Sequence, residues 1–341
     1  MKINKIKAVL LLLVCSIILS GTVGCYGIKY NVSSIRLPAD YRIISSGRGL
    51  FVVTEGGSLF WLNSKGKWDE LSLDMKETKD IKSVYSSDTI MVLRNDGTVY
   101  TVQPFSDNPE IHEIPLPEPI SSIEMGEDSY AAITEEGSLY LWGDNSSGSL
   151  GNGTETPIEA PYLVESLSNV SKVICKFGET MVLTSEGTVF VCGRNLLIDY
   201  DNINDVSSST HFIQIEDLPP IVDIGISDAT NFFVLDINGN LYTWGGYYGC
   251  HAPEIHKTDS TFASIESGDD TLVLLDDSGS VFFIGPVYYG GYFEWHLTPE
   301  QITGVSNVDE IFASTKKFYA RKGDKIIIID PAKQMNIMHY K

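Results

Sequence analysis

Positive charge, histidine and cysteine are all scarce in this chain. Its 341 residues carry 24 Lys and Arg against 45 Asp and Glu, a formal net charge of −21. Phosphate backbones need a basic footprint, so this balance argues against nucleic acid and polyanionic surfaces as partners. It keeps the protein soluble and can steer basic partners toward it. The six His couple to no nucleophile motif, and no Gly-x-Ser-x-Gly elbow occurs. Cys250, His251, Glu254 and His256 are capable ligands, but Pro253 interrupts them and the paired spacing of a structural zinc site is missing. They read as residues of a loop. Asp236–Asn240 and Asp276–Ser280 lack the alternating ligands of a calcium loop, and Gly143–Gly153 contains no Lys and no phosphate-loop spacing. No catalytic residue, metal or cofactor is expected, and the chain reads as non-enzymatic. Helical periodicity is also missing outside the N-terminus, which excludes the helical fold classes.

What the chain has in quantity is one turn. An aliphatic run, a short polar turn, a Gly and a second apolar run recur as FVVTEGGSLFWL (Gly57), IMVLRNDGTVYTV (Gly97), YAAITEEGSLYLWG (Gly137) and TMVLTSEGTVFVCG (Gly187). They continue as NFFVLDINGNLYTWG (Gly239), TLVLLDDSGSVFFIG (Gly279) and FYARKGDKIIII (Gly323). The glycines are spaced by 40, 40, 50, 52, 40 and 44 residues, a period that marks solenoids, propellers or arrays. Asp-Gly, Asn-Gly and Ser-Gly pairs between runs of Val, Ile, Leu, Phe and Tyr specify β-hairpins. A shorter apolar strand precedes most hairpins, as in Ile120–Ile123, Val170–Val173, Ile221–Ile224, Phe262–Ile265 and Val308–Ile311. Another follows, as in Pro161–Val164 and Phe212–Ile215. The expected fold is all-β, a seven-bladed β-propeller of four-stranded antiparallel blades.

The third unit, Ile120–Val164, resembles the repeat of the regulator of chromosome condensation family. Trp142, Gly143, Asn145, Gly148, Leu150, Gly151 and Gly153 fall in register with the family's WG-x-N-x-x-G-x-LG-x-G run. Unit five keeps Trp244-Gly245, unit four Cys192-Gly193 and unit six Ile284-Gly285, while the others hold only the hairpin. The family's His ahead of the second strand is absent, with Ser129 or Tyr130 in its place. The resemblance implies a seven-bladed propeller, in agreement with the count of hairpins. Trp142 and Trp244, at equivalent positions, are expected between blades.

Val32–Pro38 resembles the outer strands of other units and is predicted to complete blade seven by pairing with Lys325–Ile329, leaving no open edge there. The tail Gln334–Tyr340 competes for that slot. Cys175 and Cys192 end the first and third strands of unit four, so a strand should separate them by roughly 10 Å, beyond disulfide reach.

At the N-terminus, Lys2, Lys5 and Lys7 precede the apolar stretch Ala8–Leu19 and a run of small residues ending at Gly24. This reads as a secretory signal too short for a comfortable membrane span. Thr22-Val23-Gly24-Cys25 resembles a bacterial lipoprotein processing site, with Cys25 lipidated, although Thr22 departs from the usual Leu. Ordinary cleavage nearby or an uncleaved anchor are the alternatives. The expected organisation is a signal over 1–24, a tether over 25–31 and one propeller domain over 32–341, anchored outside the cell membrane by lipid.

In a four-stranded meander the first and third connections emerge on one face of the ring. There the sequence places Tyr200, Tyr247, Tyr248, Tyr288, Tyr289, Tyr292, Phe293 and Trp295 on long third connections. Glu127, Asp128, Glu179, Asp228, Asp269 and Asp270 fall on first connections. Aromatic density on Gly-punctuated loops suits recognition of a protein or peptide, here by a monomer. The resemblance extends to secreted propellers that inhibit extracytoplasmic enzymes; guanine-nucleotide exchange, the family's namesake activity, does not fit an exported chain. A carbohydrate-binding or carbohydrate-active propeller is the alternative, although no acids pair by sequence.

Overall fold

The hairpin glycines do two jobs. Gly137 has a φ of 80°, and a Cβ there would lie 2.8 Å from Asn169 Cα, so no side chain fits. The approach is close because Gly137 O accepts the Val170 amide at 2.9 Å. Likewise Gly97 O accepts from Ile120, Gly187 O from Ile221, Gly239 O from Phe262 and Gly279 O from Val308, each at 3.0 Å. The turn of one repeat therefore docks the start of the next.

The computed structural model describes residues 31–330 except 38–40, 44, 48, 55–56, 64–66, 72–79, 87–88, 103–110, 195–207, 228–230, 246–249, 257, 269–270, 290–291 and 315–316. The signal, Cys25 and the tail Gln334–Tyr340 lie outside the described residues. Among the described residues no α-helix occurs, and the strands form seven blades of four antiparallel strands. Blade 1 is Tyr41–Ile43, Phe51–Thr54, Leu59–Leu62 and Trp68–Leu71. Blade 2 is Ile81–Ser86, Ile90–Arg94, Val99–Val102 and Ile111–Glu113; blade 3 is Ile120–Met125, Ser129–Thr134, Leu139–Gly143 and Ile158–Leu163. Blade 4 is Val170–Lys176, Glu179–Thr184, Val189–Gly193 and Ser209–Gln214; blade 5 is Ile221–Ser227, Asn231–Asp236, Leu241–Gly245 and Cys250–His256. Blade 6 is Phe262–Ser267, Leu272–Asp276, Val281–Tyr289 and Tyr292–Gln301. Blade 7 is Glu310–Ala313, Phe318–Lys322, Lys325–Asp330 and Asn31–Arg36, so both chain ends close the ring as the sequence predicted. Val32 sits opposite Ile329 and Ile35 opposite Ile326. One feature was not foreseen: Ser45–Gly47, just after the first strand of blade 1, pairs in parallel with the first strand of blade 2.

Apolar residues pack between blades rather than within them. Trp142 joins Tyr85, Met91 and Leu93 of blade 2 and stacks on Tyr130 with centroids 5.5 Å apart. Trp244 joins Ile174, Met181 and Val191 of blade 4 and stacks on Phe232 at 5.2 Å. Both tryptophans thus lie between blades, where their repeat positions put them. Leu50 and Val52 pack on Tyr319, Ile326 and Ile328 across the seam between blades 1 and 7.

The glycine-rich run after Trp142 is a staple between blades 3 and 4. Asn145 is wholly buried. Its Nδ2 donates to Thr154 O at 2.8 Å and Thr156 O at 3.1 Å, and its Oδ1 accepts from Leu150 N at 2.9 Å. This ties the loop into a coil that buries Leu150 in the core shared by blades 3 and 4. Asn152 then bridges to His211 in the outer strand of blade 4. A Cβ on Gly151 would meet the Phe212 ring at 2.3 Å. The long third connection of blade 3 is folded onto its neighbour, where its carbonyls and Leu150 are satisfied.

Cys175 and Cys192 are free, buried, and paired to Thr180 from opposite sides, as expected. Burial pushes the Cys175 thiol up to about 12.

Candidate functional site

Every first strand runs toward the face of the first and third connections, and the first strands of blades 2 to 7 lie side by side around the axis. A bulge near the start of these strands in blades 2 to 6, such as Val170/Lys172 in blade 4, sets which residues look inward. The positions two and four after the leading apolar residue carry Tyr85, Glu124, Lys172, Asp223, Glu266 and Glu310.

These residues form a mixed-charge lining. Tyr85 donates its hydroxyl proton to Glu124 Oε1 at 2.8 Å, from blade 2 to blade 3. Lys172 Nζ meets Asp223 Oδ1 at 2.6 Å and donates to Ile224 O at 3.2 Å, from blade 4 to blade 5. Asp223 Oδ2 accepts the Ile265 amide at 2.9 Å, which links blade 5 to blade 6. Lys176 reaches past blade 5 to Ser267 O at 2.8 Å and Gly268 O at 3.0 Å, so its ammonium spans one mouth of the channel.

Burial raises the Glu124 carboxyl to about 8, against the pull of the Tyr85 hydrogen bond and of Lys176 and Lys172. Glu266 rises to about 7, first by burial and then by Asp223 and Glu310. Burial alone would depress Lys172, but Asp223, Glu266 and Glu124 outweigh it and its pKa is raised. The Lys172 side chain keeps 35% exposure, so water reaches the pair and screens it. The lining can hold or exchange protons near neutrality and tie blades together.

None of these channel residues was singled out from sequence, although an acid or Lys inside a short apolar strand is a visible signal. On the face itself, Glu127 and Asp128 are exposed as expected, and Glu127 Oε2 accepts the Phe177 amide at 3.3 Å. Glu179 is not on that surface: it opens a strand buried along its whole length and has no exposure. Tyr288, Tyr289, Tyr292, Phe293 and Trp295 lie on strands rather than loops. Their β-branched and aromatic surroundings extend the hairpin until Tyr289 pairs with Tyr292. Tyr200, Tyr247, Tyr248, Asp228, Asp269 and Asp270 fall outside the described residues. The Cys250–His256 segment is a strand, not a loop, because it pairs with Leu241–Gly245, and Thr243 Oγ1 lies 2.7 Å from His256 Nε2. Among the described residues no three His, Cys, Asp or Glu are grouped to hold a metal ion.

Residues 136–177, which span the staple and the start of blade 4, match the family model "Regulator of chromosome condensation (RCC1) repeat". One repeat of the chain is thus similar to the RCC1 repeat. The chain is 37% identical over 117 residues to the zebrafish (Danio rerio) Protein RCC2 homolog, covering 33% of this chain and 23% of that protein. It is 26% identical over 263 residues to the human E3 ubiquitin-protein ligase HERC2, covering 70% of this chain and 5% of that protein. The chain thus spans less than a quarter of the length of these relatives. Among solved structures, human WBSCR16 superposes with a TM-score of 0.68 at 14% identity over 88% of this chain and 89% of that one. Prp20p of Saccharomyces cerevisiae, described with its binding to Gsp1p and histones, gives 0.65 at 14% identity over 84% and 81%. YCF48 bound to D1 peptide gives 0.57 at 13% identity over 89% and 98%. These likenesses agree with the seven-bladed propeller fold described above.

Proposed function

We propose that this RCC1-like propeller is a non-enzymatic, extracytoplasmic binding protein. It is anchored at the membrane by lipid on Cys25 and holds a protein or peptide through the face of its first and third connections. The observation that carries this reading is the outer hairpin of blade 6. Tyr288, Tyr289, Tyr292, Phe293 and Trp295 occupy backbone positions at its end, on the side of the ring from which the Glu127–Asp128 connection emerges, which supports the reading. Amphipathic aromatics offer large contact area at small entropic cost. The peptide-bound YCF48 propeller, of the same general fold, supports the mode without identifying a partner. Glu124 accepts from Tyr85 and Asp223 is paired with Lys172, contacts that join neighbouring blades.

Two experiments test the reading. A pull-down from solubilised envelope compares wild type with a Tyr288→Ala, Tyr289→Ala, Tyr292→Ala variant. Loss of partner from the variant is expected, and equal recovery from both removes this face as the site. Fatty-acid labelling of wild type and Cys25→Ser tests the anchor, and unchanged labelling of the variant disposes of it.

A further inference from the structure

The outer hairpin of blade 6 is longer than its sheet. The second strand of that blade accompanies the third only as far as Leu272 opposite Ile284. Beyond that rung, Gly285, Pro286, Val287, Tyr288 and Tyr289 pair with His296, Trp295, Glu294, Phe293 and Tyr292, and among the described residues no third strand joins them. The register puts Pro286, Tyr288, Phe293 and Trp295 on one face of this two-stranded ribbon. A ribbon of two strands is marginal by itself and gains most from a third.

Among the described outer strands its edge also has little to guard it. The outer strands of blades 3 and 5 are interrupted by Pro161 and Pro253, the usual guard on a sheet edge. Those of blades 1 and 2 have four and three residues. At blade 4, Asn152 bridges to the edge at His211. Tyr292–Thr298 runs seven residues before Pro299, the longest Pro-free stretch among the described outer strands.

We propose that this edge takes up an extended, basic polypeptide segment as a fifth strand of blade 6, in line with the peptide-binding reading on which it rests. Main-chain hydrogen bonds along Tyr292–Thr298 supply the pairing, and alternate side chains of the segment lie on the Tyr288, Phe293 and Trp295 face. A basic segment is favoured by the net charge of −21, by Glu294 in the strand itself, and by the exposed Glu127 and Asp128 on the same side of the ring.

The test adds three labelled decapeptides to the whole mature protein: alternating Lys-Val, alternating Glu-Val, and Lys-Val N-methylated at every second residue. The first is expected to bind saturably and to slow hydrogen exchange at alternate amides of residues 292–298. The methylated peptide keeps the charge but loses one hydrogen-bonding edge, and is expected to bind at least tenfold more weakly. The acidic peptide is expected not to bind. Trp295→Ala is expected to weaken Lys-Val binding severalfold with unchanged thermal unfolding. Equal binding of the methylated peptide, or protection confined to other connections, overturns strand addition while leaving peptide capture by this face intact. Failure of all three peptides overturns the proposal, and the envelope pull-down separately decides whether the face binds a partner by another mode.

Discussion

The Tyr85 hydroxyl donates to Glu124 Oε1 at 2.8 Å across the boundary between blades 2 and 3, in a channel where burial lifts the Glu124 carboxyl to about 8. A carboxyl raised in the folded state from an ordinary 4.5 binds more protons folded than unfolded over that interval. Stability therefore falls as pH rises from about 4.5 to about 8, with Glu266 adding the same sign up to about 7. Thermal unfolding between pH 5 and 9 should show a declining midpoint in wild type and a flatter profile in Glu124→Gln. A wild-type midpoint that climbs over this range contradicts the assignment.

Asn145 holds the staple between blades 3 and 4 with its whole amide. Asn145→Ala strands buried carbonyls and the Leu150 amide, and is expected to cost about 2–4 kcal/mol. Asn145→Asp keeps the acceptor for Leu150 but loses both donors and places a charge in the core, so it should be no better tolerated. Denaturant unfolding of both variants measures this.

Gly137 and Gly323 separate strain from crowding. Both have positive φ, 80° and 58°, but a Cβ at Gly137 meets Asn169 backbone at 2.8 Å whereas nothing lies within 4 Å at Gly323. Gly323→Ala is expected to cost about 1 kcal/mol from conformation alone. Gly137→Ala should cost more, because it also breaks the dock onto Val170. Equal unfolding midpoints for the two variants would show that the dock contributes little.

Trp244 is wholly buried, and among the described residues its indole N–H finds no hydrogen-bond partner. Trp244→Phe should therefore lose only volume, while Trp244→Ala is expected to cost about 3–5 kcal/mol. Guanidinium unfolding midpoints of the two variants distinguish packing from a hidden polar contact.

The ring was legible in the sequence because its signals are local. Each glycine follows a polar turn between apolar runs, and the period of these hairpins counts the blades. The closing strand was legible too, since Val32–Pro38 shares the character of other outer strands. The channel was not. Lys172 and Asp223 are 51 residues apart, and each looks inward only because a bulge shifts its strand by one position. Glu179 misled because a charged residue beside a turn reads as surface, yet here it begins a strand whose six residues are all buried. The aromatics of blade 6 were assigned to a loop because Gly290-Gly291 interrupts them, whereas the strands run on to Tyr289 and Tyr292.

With the lipid proposed at Cys25, the strand that closes the ring would also set which side of the molecule faces the bilayer. Asn31 lies opposite Asp330, at the end of blade 7 from which the long connections emerge. From Cys25 to Asn31 a fully extended backbone covers at most about 20 Å. With the acyl chains proposed at Cys25, the rim of that side is drawn close to the lipid headgroups rather than held out toward the medium. A client would then be met in the narrow gap beneath the disc, so that only a segment thin enough to enter that gap is within reach.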